Sequence, residues 1–283
     1  NRERVRSTRL FRYIFSAFLW ELRYTCMVYK RICRCMILQA DINYRGRRMM
    51  NDKDAALTYL NKNRMLNIGM LQVLHRGTAE ILHACEKGVY LRDTVSNAYM
   101  LSSDDDAMGI EWMHAFERRS YSLMQICSQE AAEYAKKRYG FETELTCVQA
   151  VYEGKEAPQN SGKLSICEPD DETMELIASS YDKLSKDELW QIRSLHDLYA
   201  GYLDEVCVGF IGSHLEGSMG LLEIFPEYRR RGFAAELERF MIGHMLRQGL
   251  FAFAQIETWN EKSLSLQNKL GLRISEERIR WLF

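Results

Sequence analysis

The segment SMGLLEIFPEYRRRGFAAELERFMIGHML, residues 218–246, predicts a strand, a glycine-bearing turn and a helix in immediate succession. Residues 219–225 are mostly apolar and precede Pro226, which ends a strand because it has no backbone donor. From Gly232 onward, apolar residues recur at helical spacing. Such a turn presents unpaired backbone N–H groups and the positive end of a helix dipole, so it suits a phosphate or pyrophosphate ligand.

Three arginines, Arg229, Arg230 and Arg231, add positive charge beside this turn. Taken alone, the turn is also compatible with a structure that binds no ligand: a solvated basic loop before an ordinary helix. Its spacing is neither G-x-G-x-x-G nor G-x-x-x-x-G-K-[ST], which argues against a dinucleotide fold and a P-loop.

Two motifs carry a family resemblance. Arg229-x-x-Gly232-x-Ala234 resembles the cofactor signature [Q/R]-x-x-G-x-[G/A] of the GNAT superfamily of N-acetyltransferases. Residues 260–272, NEKSLSLQNKLGL, are similar to that superfamily's N-x-x-[A/S]-x-x-L-x-x-K-L-G-F, with leucine in place of the final phenylalanine. The resemblance covers residues 163–283. Within it, VGFIGSHLEGSMGLLEIFPEY looks most like the branch of glycine N-acyltransferase-like enzymes, which also have a degenerate first half.

The resemblance implies a mixed, strongly bent sheet flanked by helices, with acetyl-CoA lying where two central strands splay apart. Its pyrophosphate would bind the amides of residues 230–235, and the backbone of residues 222–224 would hold the pantetheine arm and polarise the thioester carbonyl. The amine acceptor would attack that carbonyl directly, after losing a proton to a carboxylate or a water chain. The residues expected to contact the cofactor are Leu222, Glu223, Ile224, Arg229, Arg230, Arg231, Gly232, Phe233, Ala234, Ala235, Asn260 and Gln267.

Three residues are candidates for catalysis: Glu216, Ser218 and Glu223. The first two lie just before the cofactor strand, and in the glycine-acyltransferase pattern the base is near Ser218. Glu216 could act through a water or be an exposed turn residue. Glu223, like Glu257, is a strand residue with apolar neighbours. Partial burial would raise the pKa of such a carboxylate and suit a base, but an ion pair at the sheet edge is equally compatible.

Many members of the resembled superfamily place a tyrosine seven residues after the motif asparagine, as the acid for the leaving thiolate. This chain has Gln267 there, which can hydrogen-bond sulfur but cannot donate a proton. His214 is the imidazole nearest to Glu216 in sequence, and a lone histidine is more often structural. The six histidines show no metal-binding spacing, so no metal site is expected.

A strand–helix–strand pattern occurs twice, in residues 122–152 and again in residues 253–283. Gln125 and Ile126 recur 130 positions later as Gln255 and Ile256, and Gly140 recurs 131 positions later as Gly271. The repeat predicts that the two halves share a fold.

The turn-rich stretch 154–163 is the predicted linker between the two halves. The sequence therefore predicts an α/β protein of two related mixed-sheet domains. Residues 50–156 form a degenerate GNAT-like domain, and residues 163–283 form the domain that binds acetyl-CoA.

The N-terminal residues 1–48 differ from the rest in charge. They hold 12 basic residues against 3 acids, a charge of +9, whereas residues 49–283 hold 26 against 36, or −10. Charged residues interrupt the apolar stretch 10–20, which excludes a transmembrane helix. Two interpretations remain open: a basic amphipathic arm that lies on a membrane or partner, and sequence upstream of a natural start at Met49 or Met50.

Composition limits the remaining function classes. The 283 residues are 47% apolar and 27% charged, which indicates a globular protein, and the net charge of −1 gives no reason to expect nucleic acid as partner. Eight cysteines without metal spacing or a secretion signal fit reduced thiols in the cytoplasm. No membrane partner is expected for residues 49–283, and the sequence does not indicate an oligomeric state.

The predicted function is an N-acetyltransferase that moves an acetyl group from acetyl-CoA to a primary amine of a small molecule or peptide. The alternative is a non-catalytic CoA-binding or interaction module, because the acid tyrosine is missing and the base is unassigned. The acidic balance of residues 49–283 hints at cationic acceptors.

Overall fold

A computed structural model describes residues 52–116 and 120–283 of the chain; the predicted basic segment 1–48 lies outside the described residues. The helices are α1 (52–60), α2 (Ile68–Arg76), α3 (Asp106–Ala115), α4 (Gln129–Tyr139), α5 (Asp171–Ser180), α6 (Lys186–Ser194), α7 (Phe233–Arg247) and α8 (Glu261–Lys269). The strands are β1 (Ala79–Cys85), β2 (Gly88–Asp93), β3 (Tyr99–Ser103), β4 (Met124–Ile126), β5 (Glu144–Val151), β6 (Ser165–Cys167), β7 (Leu198–Leu203), β8 (Val206–Ser213), β9 (Met219–Ile224), β10 (Phe253–Glu257) and β11 (Arg273–Leu282).

All of these strands belong to one mixed sheet, in the order β1-β2-β3-β4-β11-β5-β10-β9-β8-β7-β6. Two neighbouring pairs are parallel, β3 with β4 and β9 with β10. Each parallel pair is joined through one helix, α3 in the first half and α7 in the second, because a parallel connection needs a crossover. The large mixed sheet with flanking helices confirms the predicted α/β fold class.

The predicted strand–helix–strand repeat is present as β4-α4-β5 and β10-α8-β11. The last strand of each unit pairs within the other half. Strand β5 lies beside β10, and β11 lies between β4 and β5. The two halves thus exchange their final strands and share one sheet, which the sequence does not predict. The domain boundary near residues 154–163 stays a prediction.

Local sequence signals explain both repeat helices. The Ser128 hydroxyl accepts from the Ala131 amide at the start of α4, and the Asn260 side chain accepts from the Ser263 amide at the start of α8. Gly140 follows α4 in a left-handed conformation (φ +79°), which favours glycine because it has no Cβ. Residues adjacent to each helix therefore set where α4 and α8 begin and where α4 ends.

The second half buries one core on each face of the sheet. On one face, Leu237 and Met241 of α7 pack against residues of β8, β9, β10 and β5. On the other face, α5 and α6 pack against Leu198, Phe210 and Leu221. Met219 and Leu221 of β9 belong to opposite cores although they are two residues apart, because the strand is irregular at Leu221, where φ is +52°. In the described part of the chain, no helix is both long and apolar enough to cross a bilayer.

Candidate functional site

The start of helix α7 has the form that the sequence motif predicts. Gly232 is its N-cap, with φ +89°, and among the described residues no side chain caps the helix. The first backbone bond runs from the Glu236 amide to the Gly232 carbonyl, so the amides of residues 233–235 come before it. A Cβ at Gly232 would meet no atom within 4 Å. The turn therefore offers donors and open space together, which suits an anionic group.

Arg229, the first residue of the motif, folds back onto β9. Its Nε donates to the Ile224 carbonyl at 2.8 Å, and its Nη2 lies 2.8 Å from Oε1 of Glu223. Arg229 therefore closes the turn, and Glu223 forms the ion pair that the sequence left open as an alternative to catalysis. Arg230 is exposed, with φ +67°, and the guanidinium of Arg231 lies over the Tyr228 ring.

Strands β9 and β10 are joined at a single position, Met219 with Ala254. Further along, Leu221 has φ +52°, a conformation that is rare for a residue with a Cβ, and the β8–β9 register shifts between Phe210 and Gly212. Bulges and strained residues of this kind concentrate beside functional sites. The divergence of β9 from β10 and the irregularity in β9 leave backbone beyond Met219 outside the β9–β10 ladder, in the region of the predicted pantetheine contacts 222–224.

In the first half, the two strands of the corresponding crossover, β3 and β4, do not diverge after one pair. Strands β3 and β4 pair at three successive positions, from Tyr99–Met124 to Leu101–Ile126. The carboxylate of Asp105 caps α3 by accepting from the Met108 amide. A negative charge at that helix start disfavours a phosphate, whereas the start of α7 has no such cap.

The turn between β8 and β9 holds two of the predicted catalytic candidates. Glu216 and Ser218 are both buried, and the Ser218 hydroxyl donates to Oε1 of Glu216 at 2.6 Å. Helix α2 of the first half packs on this turn: Arg76 donates to the Leu215 carbonyl at 2.9 Å, and Gln72 donates to the Gly217 carbonyl at 3.4 Å. Glu216 is therefore not an exposed turn residue.

Gln267 is buried, and its Nε2 donates to Oε1 of Glu238 at 2.6 Å. Its own Oε1 has no hydrogen-bond partner within the described residues. Burial raises the pKa of Glu238 to about 7, while the hydrogen bond from Gln267 acts in the opposite direction. Glu238 is not among the predicted site residues, and its signal in the sequence is an acid inside the apolar pattern of α7.

Glu236, another buried acid of α7, holds the predicted linker instead. It accepts from the amides of Lys163 and Leu164, at 2.7 and 3.1 Å, and from the Ser161 hydroxyl. A carboxylate with three donors is well satisfied in the interior.

The remaining predicted residues lie around the diverging strands. Asn260 caps α8, because its side-chain oxygen accepts from the Ser263 amide. Glu257, near it at the end of β10, accepts from the indole N–H of Trp259 at 2.8 Å, and Trp259 is 71% exposed.

Two cavities, of about 180 and 250 Å³, are lined by residues of the first half together with Phe251, and neither includes a predicted cofactor residue. Within residues 52–116 and 120–283, no group of three or more His, Cys, Asp or Glu side chains is placed to hold a metal ion.

Residues 198–281 match the family described as FR47-like protein, which supports the GNAT superfamily resemblance of this region. A search of the curated proteins found no match. The solved structure of a Drosophila protein is similar with a TM-score of 0.55 at 15% identity, covering 69% of this chain and 72% of that one.

Two further structures are similar at lower scores. A GCN5-related N-acetyltransferase-like protein from Streptococcus suis has a TM-score of 0.47 at 13% identity, covering 81% of this chain and 99% of its own. An acetyltransferase of the GNAT family from Colwellia psychrerythraea has a TM-score of 0.45 at 12% identity, covering 81% and 97%. The Drosophila likeness concerns the fold alone.

Proposed function

We propose that the chain is an N-acetyltransferase that moves an acetyl group from acetyl-CoA to a primary amine of a small molecule or peptide by direct attack. The observation that carries the proposal is the uncapped start of α7 beside the divergence of β9 from β10. The FR47-like match over residues 198–281 covers both features. We also propose the glycine N-acyltransferase-like branch, and we propose that the first half is a degenerate relative of the second.

In this proposal, each group of residues binds a different part of acetyl-CoA. The amides of 233–235 and the side chains of Arg230 and Arg231 bind the pyrophosphate. The backbone of 222–224 holds the pantetheine arm and donates to the carbonyl oxygen that becomes negative during transfer. The acyl donor supplies an activated thioester, and the acceptor amine supplies the nucleophile.

Acetyl-CoA binding and acetyl transfer are tested separately. Calorimetry measures the dissociation constant, and free thiol release measures turnover with amino acids, polyamines, aminoglycosides and peptides. Gly232→Glu places a side chain and a negative charge at the proposed phosphate site, so binding should weaken at least tenfold. Gly140→Glu is the matched control, because Gly140 also has positive φ and open space around a Cβ. Equal affinity in both folded variants would refute the placement.

A second candidate function is a non-catalytic CoA-binding or interaction module. The buried Gln267–Glu238 hydrogen bond favours it, since the position of the superfamily's acid tyrosine holds an amide that is already engaged. If the chain binds CoA tightly but releases no thiol with any amine of the panel, the non-catalytic function is the correct one.

A further inference from the structure

His214 begins the turn that precedes β9, and its imidazole packs against that strand. A Cβ added at Gly220 would lie 2.6 Å from Cδ2 of His214 and closer still to Nε2. The ring thus occupies the space that a side chain at residue 220 would need. Gly220 directly follows Met219, the position where β9 pairs with β10. His214 is therefore seated at the point from which the two strands diverge.

The imidazole lies on the face of the sheet opposite α7. Met219 and Ile224 belong to the core beneath α7, whereas Leu221 and Phe225 belong to the core beneath α5 and α6. Gly220 pairs with Gly212, and a Cβ added at Gly212 would lie 3.0 Å from Leu198 of the core beneath α5 and α6, so Gly220 faces away from α7. A donor molecule bound at the start of α7 would reach the divergence from one face, and His214 is placed on the other.

The ring nitrogens of His214 are available. The side chain is half-buried, and neither nitrogen makes a hydrogen bond with any residue of 52–116 or 120–283. Two carboxylates of this turn and strand are engaged in other contacts: Glu216 with the Ser218 hydroxyl and Glu223 with the Arg229 guanidinium. Among these groups, His214 is the base with a free lone pair.

The backbone around His214 is held firmly. Its amide donates to the Ser218 carbonyl and its carbonyl accepts from the Gly217 amide, both at 2.8 Å. Arg76 and Gln72 of α2 bind the carbonyls of Leu215 and Gly217 in the same turn. A side chain on a turn held by these four hydrogen bonds can keep a reproducible position, as general-base chemistry requires.

Resting on the proposed acetyl transfer, we propose that His214 is the general base of the reaction. Neutral His214 takes one proton from the acceptor ammonium, and the freed nitrogen lone pair forms a bond to the thioester carbonyl carbon. The carbon–sulfur bond breaks, and its electron pair leaves with sulfur. The sulfur takes the second proton that the nitrogen loses, and His214 releases its proton to water. The products are the acetylated amine and the free thiol.

The test compares His214→Ala with His244→Ala in the full chain, using the best acceptor of the amine panel. His244 lies near the end of α7, where it contacts Tyr199 and Gln248. Loss of a general base lowers turnover by about 100- to 10,000-fold. We expect a loss of that size in His214→Ala, a dissociation constant for acetyl-CoA within twofold of wild type, and partial recovery with added imidazole. His244→Ala should stay within about threefold of wild type.

Gly220→Ala provides a second variant that keeps the imidazole but displaces it. Its turnover should fall in the same direction, and adding it to His214→Ala should cause little further loss, because both changes act on one group. Should His214→Ala fail to fold, His214→Gln replaces it. Turnover of the folded variant within tenfold of wild type, or a loss that imidazole does not relieve, would overturn the assignment. A wild type that acetylates no amine would overturn the proposed function itself.

Discussion

Replacing Glu238 by glutamine should make the protein less sensitive to alkaline pH. Glu238 is 3% exposed, and Gln267 is its hydrogen-bond donor. Burial raises the pKa of Glu238 from 4.5 to about 7. Between these two values the folded state binds a proton that the unfolded state has released. Stability is therefore fully present below pH 4.5, falls as pH rises toward 7, and stays reduced above it.

The size of the effect follows from the two pKa values. Each pKa unit corresponds to 1.36 kcal/mol, so a difference of about 2.5 corresponds to roughly 3 kcal/mol of lost unfolding free energy. Glu238→Gln keeps the size of the side chain and its ability to hydrogen-bond Gln267, but it has no proton to lose. The unfolding free energy of the variant minus that of wild type should therefore grow by about 2 to 3 kcal/mol between pH 5 and pH 8.5.

Urea unfolding at a series of pH values measures the unfolding free energy of the variant and of wild type. In the difference between them, the contributions of the other titrating groups cancel. Glu236→Gln is the matched control on the same helix. Its carboxylate accepts three hydrogen bonds, so the variant should be less stable than wild type by about 1 to 3 kcal/mol at pH 8.5. If the Glu238→Gln difference stays constant within about 0.5 kcal/mol over the series, Glu238 is not a buried acid with a raised pKa, and the reasoning fails.

Three further results are expected. Calorimetry should give one acetyl-CoA per chain, because the Asp105 carboxylate caps the crossover helix of the first half; two sites would contradict this. Gln267→Ala should lower turnover by about tenfold or less, because an amide does not titrate and one neutral hydrogen bond is worth about 0.5 to 1.5 kcal/mol; a thousandfold loss with CoA binding intact would replace this mechanism. Glu223→Gln should keep turnover within about tenfold, because the carboxylate already pairs with Arg229, and a hundredfold loss would return Glu223 to the role of base.

The parts of the site that short sequence motifs encode could be predicted. The turn at Gly232 and the cap at Asn260 depend on neighbouring residues, and both lie where the sequence places them. The Gln267–Glu238 contact could not be predicted, because it requires knowing that α7 and α8 are adjacent. His214 was read as structural for the same reason, since its position over Gly220 depends on the path of a strand.

In the sheet, too, local units could be predicted from the sequence, whereas the pairing of distant strands could not. The repeat predicted two similar units, but the choice of partner for β5 and β11 depends on contacts between residues more than a hundred positions apart. The β7–β8 hairpin escaped prediction for a local reason. Its turn residues Asp204 and Glu205 both have positive φ, although the chain there lacks the Asn-Gly or Asp-Gly pair that normally marks such a turn.

The first half contributes to the proposed site without a cofactor turn of its own. Its crossover helix begins at an acidic cap, so a phosphate is disfavoured there. Its helix α2 instead donates from Arg76 and Gln72 to the turn that carries His214, and its strand β5 lies beside β10. The second half supplies strand β11, which lies between β4 and β5 of the first half. Since each half completes the sheet of the other, neither is expected to fold alone.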